Sequence, residues 1–179
     1  VMAGFAAYIK IDGFNILPVL SISMAATTFA GQNIGAGKPD RVRKGMFVST
    51  AMGVGYSIVT GIVLLIFAPQ VIGVFTTNQK VVEYGVFIMR YFCPFYWMLA
   101  MLHVLGGTAR GVGKTMQTMM VFLLSLCGFR ILWIAVVMTF ARDLGNMMLC
   151  YPTSWLVGML LMVLYVWKGL KFSGRNVQN

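Results

Sequence analysis

The fold of this chain is decided by the stretch Met24-Ala-Ala-Thr-Thr-Phe-Ala-Gly-Gln-Asn-Ile-Gly-Ala-Gly-Lys-Pro-Asp-Arg-Val-Arg-Lys44. This stretch ends an apolar run, residues 13–37, that contains no charged residue. Four basic residues and one acidic residue follow within the next seven positions, after a glycine-rich turn. Membrane-spanning helices end in this way on the cytoplasmic side, where Lys and Arg are enriched. We therefore predict a membrane-spanning helix that ends in a cytoplasmic turn.

The composition of the whole chain supports this interpretation. Hydrophobic residues make up 59% of the 179 residues, charged residues make up only 10%, and the mean hydropathy is +0.84. A typical soluble domain has about 25% charged residues, so this chain has too few to cover a surface in water. We predict a multi-pass protein in contact with membrane lipid. The net charge of +10 does not indicate a nucleic-acid partner, because the basic residues lie between apolar runs and form no stripe with interleaved aromatics.

Five apolar segments are long enough to cross the membrane as helices. A bilayer core of about 30 Å requires about 20 apolar residues in a helix. Barrel strands are excluded because the segments lack period-two alternation and exceed the roughly ten residues of such a strand. The expected fold class is therefore all-α, with a transmembrane helical bundle over residues 1–171 and a polar cytoplasmic tail over 172–179. The predicted spans are residues 5–31, 46–68, 81–105, 116–140 and 147–167.

The connections between these spans differ in charge, and this difference predicts the orientation. The segments after the first, third and fifth spans are basic. The connections after the second and fourth spans hold only Lys80 with Glu83 and Arg142 with Asp143. By the positive-inside rule, these three spans end in the cytoplasm. We expect a plasma (inner) membrane location, a cytoplasmic C-terminus and an N-terminus outside. The basic residues are Lys38, Arg41, Arg43, Lys44, Arg110, Lys114, Lys168, Lys171 and Arg175.

Two features of the spans concern helix packing. Small residues recur every fourth position on one face of the second span, which lets a neighbouring backbone approach closely. Pro18 lies inside the first span, where it removes a backbone hydrogen bond. The small residues of the second span are Ser49, Gly53, Ser57 and Gly61.

Charged residues inside a membrane are costly, and they are usually paired or functional. Lys10 and Arg90 lie near span ends, where long cationic side chains reach the lipid head groups. Arg130 is deeper, about 15 Å from the outer end of the fourth span at about 1.5 Å per residue. Asp12 is the acid that shares this outer half of the bilayer with the three cations. We hypothesise that Arg130 faces an internal cleft and pairs with Asp12 or with a substrate anion.

Other polar residues of the spans are candidates for lining the same cavity. Asn15 is three residues after Asp12 and shares its helix face, which continues through Val19, Ser23 and Thr27 as the wall of a polar cleft. His103, near the inner end of the third span, is a candidate proton relay. We favour a role as a hydrogen-bonded packing residue, because no acidic neighbour lies three or four positions away to favour its charged form.

Motifs for catalysis or nucleotide binding are absent from the sequence. No His-Glu-x-x-His, paired carboxylate or Gly-x-Ser-x-Gly motif occurs, so we expect no enzyme activity and no cofactor. The segment Gly111-Val-Gly-Lys-Thr115 is similar to the end of a phosphate-binding loop, but residue 108 is Thr instead of Gly and no strand precedes it. The cysteines lack metal-ligand spacing, and we expect all three to be buried free thiols: Cys93, Cys127 and Cys150.

Three features, in order along the chain, resemble the C-terminal lobe of the MATE family of multidrug efflux transporters. Residues 25–37 and 40–43 are similar to the family's Gln-x-x-Gly-Ala-Gly turn followed by basic residues. Pro94 in the third span precedes a turn similar to the family's Arg-Gly-x-Gly turn. Arg130 matches an arginine that the bacterial branch carries in the next helix. The residues that match the two turns are Gln32, Gly35, Arg41, Arg110, Gly111 and Gly113.

The resemblance implies that this chain corresponds to the eighth to twelfth helices of a twelve-helix transporter. It implies two six-helix lobes around a central cavity that opens alternately to either side, with a sodium or proton gradient driving the export of drugs. The partners implied are a small organic substrate and the missing N-terminal lobe. The start at Val1-Met2, almost directly followed by a helix, is also what we expect of a fragment.

One departure from the family pattern concerns the coupling ion. Family members bind this ion through acidic residues on the first, seventh or tenth helix. The span that matches the tenth, 81–105, contains only Glu83, at its outer edge. The resemblance therefore assigns no coupling-ion site here, and the surplus of cations in the outer half leaves room for an anionic substrate.

Two other functions stay open beside cation-coupled export. A lipid-linked oligosaccharide flippase of the same superfamily would use cavity cations to bind a pyrophosphate. A non-transporting membrane scaffold would show no flux that depends on an ion gradient. A membrane-embedded enzyme is disfavoured, since no nucleophile and base are paired in the sequence.

Overall fold

The computed structural model describes residues 2–140 and 144–169, and every element within these residues is helical. Five helical stretches are long and apolar enough to cross a membrane, which confirms the all-α fold class and the predicted number of spans. α1 is the first span, α2 the second and α8 the fifth. A 3₁₀ turn joins α4 to α5 in the third span, and a π-helical turn joins α6 to α7 in the fourth. The elements are α1 (Met2–Gly35), α2 (Pro39–Ile66), α3 (Ala68–Gly73), α4 (Gln79–Phe92), the 3₁₀ turn (Cys93–Phe95), α5 (Tyr96–Gly111), α6 (Thr115–Phe122), the π turn (Leu123–Gly128), α7 (Phe129–Phe140) and α8 (Leu144–Gly169).

The structure does not describe some of the charged residues from which the orientation is predicted. Arg142, Asp143, Lys171 and Arg175 lie outside the described residues, and so does the predicted tail, 172–179. The placement of the C-terminus in the cytoplasm stays a prediction from the charges of the sequence, of which Lys168 and the basic residues after the first and third spans lie within the described residues.

The helices extend beyond the predicted apolar segments. α1 continues through Gln32 to Gly35, and α2 already begins at Pro39, whereas the predicted spans end at residue 31 and begin at residue 46. Pro39 suits a first turn because it has no amide hydrogen to satisfy, and Asp40 is favourable beside the positive end of the helix dipole. Hydropathy thus locates the apolar part of a span, whereas backbone hydrogen bonds set its ends.

The spans alternate in direction, so the basic connections meet at one end of the bundle. A groove at this end is lined by Arg43 near the start of α2, Leu105 near the end of α5 and Trp167 near the end of α8. We call it the cation-rich end. Lys80 and Glu83, at the start of α4, lie at the opposite end. The basic residues of the cation-rich end are Lys38, Arg41, Arg43, Lys44, Arg110, Lys114 and Lys168.

The two turns at the cation-rich end have the same backbone geometry. After α1, Gly37 has φ +67°, and the amide of Lys38 donates to the carbonyl five residues earlier at 2.8 Å. After α5, Gly113 has φ +85°, and the amide of Lys114 donates to the carbonyl five residues earlier at 3.0 Å. This is the Schellman motif, in which a left-handed residue, usually Gly, reverses the chain at a helix end. Each motif lets one span end and the next begin after only three intervening residues.

Four of the five spans contain an internal proline or a turn that is not α-helical. Pro18 lies within α1, as the sequence predicts, and Pro152 lies within α8, where it also removes a helical hydrogen bond. Pro94 lies in the 3₁₀ turn of the third span, and the π turn interrupts the fourth. Irregular turns of this kind re-aim side chains and are frequent at functional sites.

α5 is the central helix of the described bundle and packs against α1, α2 and α8. The small-residue face of α2 makes one of these contacts, since Gly53 lies against Val104 and Gly61 lies against the carbonyl of Cys93. A Cβ at position 61 would come 2.9 Å from that carbonyl oxygen, so a larger residue would push the helices apart. The predicted close approach of a neighbouring backbone to this face is confirmed.

The prediction for the cysteines is right for two of the three. All three are free, and Cys93 and Cys150 are buried, but Cys127 is exposed. Cys127 lies in the π turn, on a face of the fourth span where Leu123 and Leu124 are also exposed. An apolar membrane segment need not be buried by its own chain, because lipid or another protein segment can cover it.

Candidate functional site

The strongest polar cluster within the spans centres on Asp12. Asp12 is half-buried on α1, and Tyr8, one turn earlier, donates from its hydroxyl to Asp12 Oδ1 at 3.3 Å. The hydroxyl of Tyr96, at the start of α5, lies 3.0 Å from that of Tyr8. Either tyrosine can be the donor between them; when Asp12 is ionised it only accepts, so Tyr8 then donates to Asp12 and accepts from Tyr96. The acid is thus held by neutral groups, and no ion pair joins it to a cation among residues 2–140 and 144–169.

A small cavity adjoins this carboxylate. It measures about 10 Å³, about the space that one water molecule needs, and lies between α1, α2 and α5. Its polar lining consists of Asp12, Asn15, Ser57 and Tyr96. All four side chains offer oxygen atoms, which are the ligands that hard cations such as Na⁺ or a protonated water prefer.

A larger cleft opens beside the small cavity, and Asn15 lines both. It has a volume of about 500 Å³ and lies between α1, α2 and the segment after α3. Its walls are mainly apolar and aromatic, with Asn15, Tyr56 and Thr60 as polar positions. Pockets for drug-sized ligands have this size and this mixture of apolar walls with few polar groups.

The predicted polar face of α1 forms this cleft only in part. Beyond Asn15, Val19 and Ser23 are buried against the third span, with exposures of 4% and 1%. Ser23 Oγ donates to the carbonyl of His103 at 2.6 Å, and Thr27 Oγ1 donates to the carbonyl of Gly107 at 2.9 Å. The expectation that Ser23 and Thr27 line an open cleft is therefore wrong, because this half of the face is a closed seam between α1 and α5.

Glycines on α5 make this seam possible. A Cβ at Gly107 would overlap the backbone of Ser23, and a Cβ at Gly111 would overlap the carbonyl of Thr27. Glycines at four-residue spacing bring two membrane helices close enough for side-chain hydroxyls to reach the opposite backbone. Gly111, which the sequence assigns to a turn, thus serves helix packing as well.

His103 and Arg110 flank the seam. The His103 ring packs edge-on against Phe122, with 5.3 Å between ring centroids. Arg110 Nη2 donates to Ser23 Oγ at 3.2 Å, and its guanidinium carbon lies 5.9 Å from the same Phe122 ring. These contacts match the packing role that the sequence analysis favours for His103, and they place Arg110 in the seam rather than in a free turn.

Arg130 lies apart from Asp12 and has different partners. Its Nε donates to Ser154 Oγ on α8 at 3.2 Å, and its guanidinium carbon lies 4.3 Å from the Tyr151 ring centroid. Two aromatic rings separate it from the Asp12 cluster, because Tyr151 meets Phe92 edge-on at 5.1 Å and Phe92 stacks on Tyr8 at 4.9 Å. The Arg130–Asp12 pair of our hypothesis is not formed, and Arg130 has no acidic partner within the described residues; its pairing with a substrate anion stays a prediction.

The other predicted positions lie near the ends of the spans. Gln32 is exposed on the last turn of α1, Gly35 ends that helix with open space around it, and Arg41 is exposed on the first turn of α2. Lys10 Nζ lies 5.7 Å from the ring of Phe75 at the end opposite the cation-rich end, a position that fits a side chain reaching toward the surface.

Sequence reasoning did not identify Tyr8, Tyr96 and Ser154 as site residues. Tyr8 stands four residues before Asp12, a spacing that places both on one helix face, so this signal was available. Tyr96 and Ser154 have no such signal, since their partners lie 88 and 24 residues away. Within the described residues, no three His, Cys, Asp or Glu side chains form a group that could hold a metal ion.

Comparison with known proteins agrees with this architecture. The model of the family described as MatE matches residues 1–136 of this chain. The chain is 27% identical over 147 residues to the probable multidrug resistance protein NorM of Thermotoga maritima, covering 80% of this chain and 31% of that protein. It is 26% identical over 146 residues to the probable multidrug resistance protein YpnP of Bacillus subtilis, covering 82% and 32%. It is 25% identical over 128 residues to the multidrug resistance protein PmpM of Pseudomonas aeruginosa, covering 72% and 27%.

The chain therefore spans about a third of the length of these curated relatives. The family model covers well over half of the chain, and its match begins at the first residue and includes α1, α2 and the third span. These are the elements that carry the Asp12 cluster, the cleft and both Schellman turns. The resemblance inferred from the sequence is confirmed, and this chain belongs to the MatE family.

Proposed function

We propose that the protein to which this chain belongs is a secondary active exporter of drugs or other small organic solutes. It works by alternating access in the plasma membrane, and a sodium or proton gradient drives it. Family membership and the names of the relatives support export. The observation that carries the coupling proposal is Asp12, an acid within a membrane span that has no cationic partner among the described residues and that lines the small cavity beside the cleft.

The chemistry of the Asp12 cluster suits a coupling site. An ionised carboxylate is costly to enclose in a membrane, and a bound proton or sodium ion cancels that charge. A protonated Asp12 can donate to Tyr8, which then donates to Tyr96, so the hydrogen-bond chain reverses its direction without losing a bond. Closing the cleft therefore costs less free energy when a proton or sodium ion is bound than when Asp12 is charged. Ion binding is thereby coupled to the side of the membrane toward which the cleft opens.

The apolar cleft is the proposed entry for the organic solute. Asn15 borders the cleft and the small cavity, so a solute in the cleft lies next to the group that binds the ion. Antiport of the organic solute against the ion follows if the two compete for this shared region. We place the cation-rich end in the cytoplasm, since that orientation satisfies the positive-inside rule for the first, third and fifth spans.

Flux measurements on the full-length protein test the coupling proposal. The protein is reconstituted in proteoliposomes, and ethidium transport is followed after a sodium or proton gradient is imposed. We expect Asp12→Asn to abolish gradient-driven flux while ethidium still binds. Glu83 is an exposed acid at the end of the bundle opposite the cation-rich end, and we expect Glu83→Gln to transport like the wild type. Gradient-driven flux of wild-type magnitude in Asp12→Asn would show that the coupling site lies elsewhere.

A lipid-linked oligosaccharide flippase is the second candidate. The observation that favours it is Arg130, a cation within a span that has no acidic partner in the part of the chain that the structure describes. A flippase would move a lipid pyrophosphate across the bilayer of the same proteoliposomes and would not transport ethidium. A scaffold would do neither.

A further inference from the structure

The position of Arg130 along the apolar spans corresponds to about half the depth of a bilayer core. Its hydrogen-bond partner Ser154 is nine residues beyond Gly145, where the fifth apolar span begins. At about 1.5 Å per residue this is about 14 Å, half of a bilayer core of about 30 Å. The side chain points across to α8 and not along its own helix toward a head group, so Arg130 does not snorkel.

Two neighbours hold the guanidinium in one orientation. Ser154 is fully buried and donates from its own hydroxyl to the carbonyl of Tyr151 at 2.7 Å, which leaves a lone pair for Arg130 Nε. The Tyr151 ring lies under the guanidinium at 4.3 Å and is itself supported edge-on by the buried ring of Phe92. Nε and one face of the guanidinium are therefore engaged.

The π turn contributes to this placement. A π turn inserts one extra residue, so the residues after it are rotated by about 100° relative to an uninterrupted α-helix. Arg130 is the second residue after the turn. The rotation turns Arg130 toward α8, whereas Ile131 and Leu132, the next residues, remain exposed.

The other side of the guanidinium stays open. Nη1 and Nη2 carry four hydrogens, and none of these meets an acceptor in residues 2–140 and 144–169. An unpaired charge at this depth is costly, and intramembrane cations usually mark a ligand or ion pathway. Two parallel N–H groups of a fixed guanidinium match the two oxygens of a phosphate or carboxylate.

We propose that Arg130 is an anion-recognition residue within the membrane-spanning bundle, at a position separate from the cleft between α1 and α2. It binds the phosphate or carboxylate group of an amphipathic organic anion through Nη1 and Nη2, while Ser154 and Tyr151 hold it in position. The inference rests on the proposed export function and names the substrate class: solutes that carry an anionic group. The same chemistry is offered by a soluble aromatic phosphate and by a lipid-linked pyrophosphate, and the experiment separates these sources.

Binding is measured on the full-length protein in lipid nanodiscs by titration calorimetry. The probes are 4-methylumbelliferyl phosphate, its uncharged parent 4-methylumbelliferone, farnesyl pyrophosphate and ethidium. We expect the wild type to bind at least one of the two phosphates. Arg130→Gln is expected to weaken that binding at least about tenfold, since a bidentate charge-assisted contact is lost, and Arg130→Lys to restore only part of it. Tighter binding of 4-methylumbelliferyl phosphate would indicate a soluble anionic substrate, and tighter binding of farnesyl pyrophosphate would indicate a lipid-linked one.

The matched control is Arg90→Gln, which removes an exposed cation of the third span and should leave every affinity unchanged. If Arg130→Gln does not fold, Ser154→Ala keeps the charge, removes the acceptor of Nε and is expected to weaken phosphate binding several-fold. Wild-type protein that binds neither phosphate, or Arg130→Gln that binds them equally well, overturns the inference. Failure of the export proposal is recognised separately, by absence of gradient-driven flux in the wild type.

Discussion

The hydroxyl oxygens of Tyr8 and Tyr96 lie 3.0 Å apart, although 88 residues separate the two tyrosines in the sequence. Tyr8 also donates to Asp12 at 3.3 Å, so a carboxylate and two phenols join α1 to α5. Both tyrosines are buried, and Tyr96 stands directly after the 3₁₀ turn that interrupts the third span. The interruption therefore places a hydroxyl where the carboxylate cluster needs one.

The direction of this hydrogen-bond chain predicts unequal effects of two substitutions. Tyr8→Phe removes the hydroxyl that lies 3.3 Å from Asp12 Oδ1, which should lower the free energy of unfolding by about 1–3 kcal/mol. Tyr96→Phe leaves the Tyr8–Asp12 bond intact and should cost about 1 kcal/mol or less. Thermal midpoints of the full-length protein in detergent measure the difference, with the exposed Tyr84→Phe as control. A larger loss for Tyr96→Phe than for Tyr8→Phe would contradict this assignment of donors.

Alanine substitutions should distinguish the seam glycines from glycines in open space. Gly107→Ala and Gly111→Ala force α1 and α5 apart, and we expect each to cost about 1–3 kcal/mol, as overpacking does. Gly55→Ala meets no atom within 4 Å and should be neutral or stabilising, because Ala favours the helix by up to about 1 kcal/mol. Equal thermal midpoints for Gly107→Ala and Gly55→Ala would mean that α1 and α5 are not in contact at this seam.

The glycines of the two Schellman turns predict a loss of stability that comes from backbone strain and not from overpacking. Gly37→Ala and Gly113→Ala meet no neighbouring atom, yet each places a Cβ on a residue with positive φ. We expect a loss of about 1–2 kcal/mol for each, from backbone strain alone. Gly35→Ala, which also faces open space but has helical backbone, serves as the control in the same thermal unfolding experiment. A midpoint for Gly113→Ala equal to that of Gly35→Ala would argue against the left-handed turn.

The proposed orientation predicts which positions a membrane-impermeant maleimide reaches. In a variant without Cys93, Cys127 and Cys150, single cysteines at Arg41 and Lys114 should react only from the cytoplasmic side. A cysteine at Lys80 should react only from outside, because it lies at the opposite end of the bundle. Whole cells and inverted vesicles report the two sides, and labelling of the first two positions from different sides would rule out the five-span topology.

Sequence alone determined the all-α class, the number of spans, the family and the end of the bundle at which the cations gather. Segments such as 13–37 determine these properties because lipid forces any long apolar run to satisfy its backbone within a helix. The small-residue face with Gly53 and Gly61 was predicted for a related reason, since its four-residue spacing acts along one helix.

Tertiary structure alone decided which polar residues meet. The sequence analysis paired Asp12 with Arg130 by opposite charge, yet Phe92 and Tyr151 lie between them. Asp12 instead accepts from Tyr8 on its own helix, which meets Tyr96 of α5, and Arg130 meets Ser154 of α8. Ser23 and Thr27 continue the polar face of Asp12, but the close packing of Gly107 and Gly111 turns that part of the face into a seam. Periodicity shows which side of a helix is polar. Whether that side meets a cavity or a neighbouring backbone depends on packing between residues far apart in the chain.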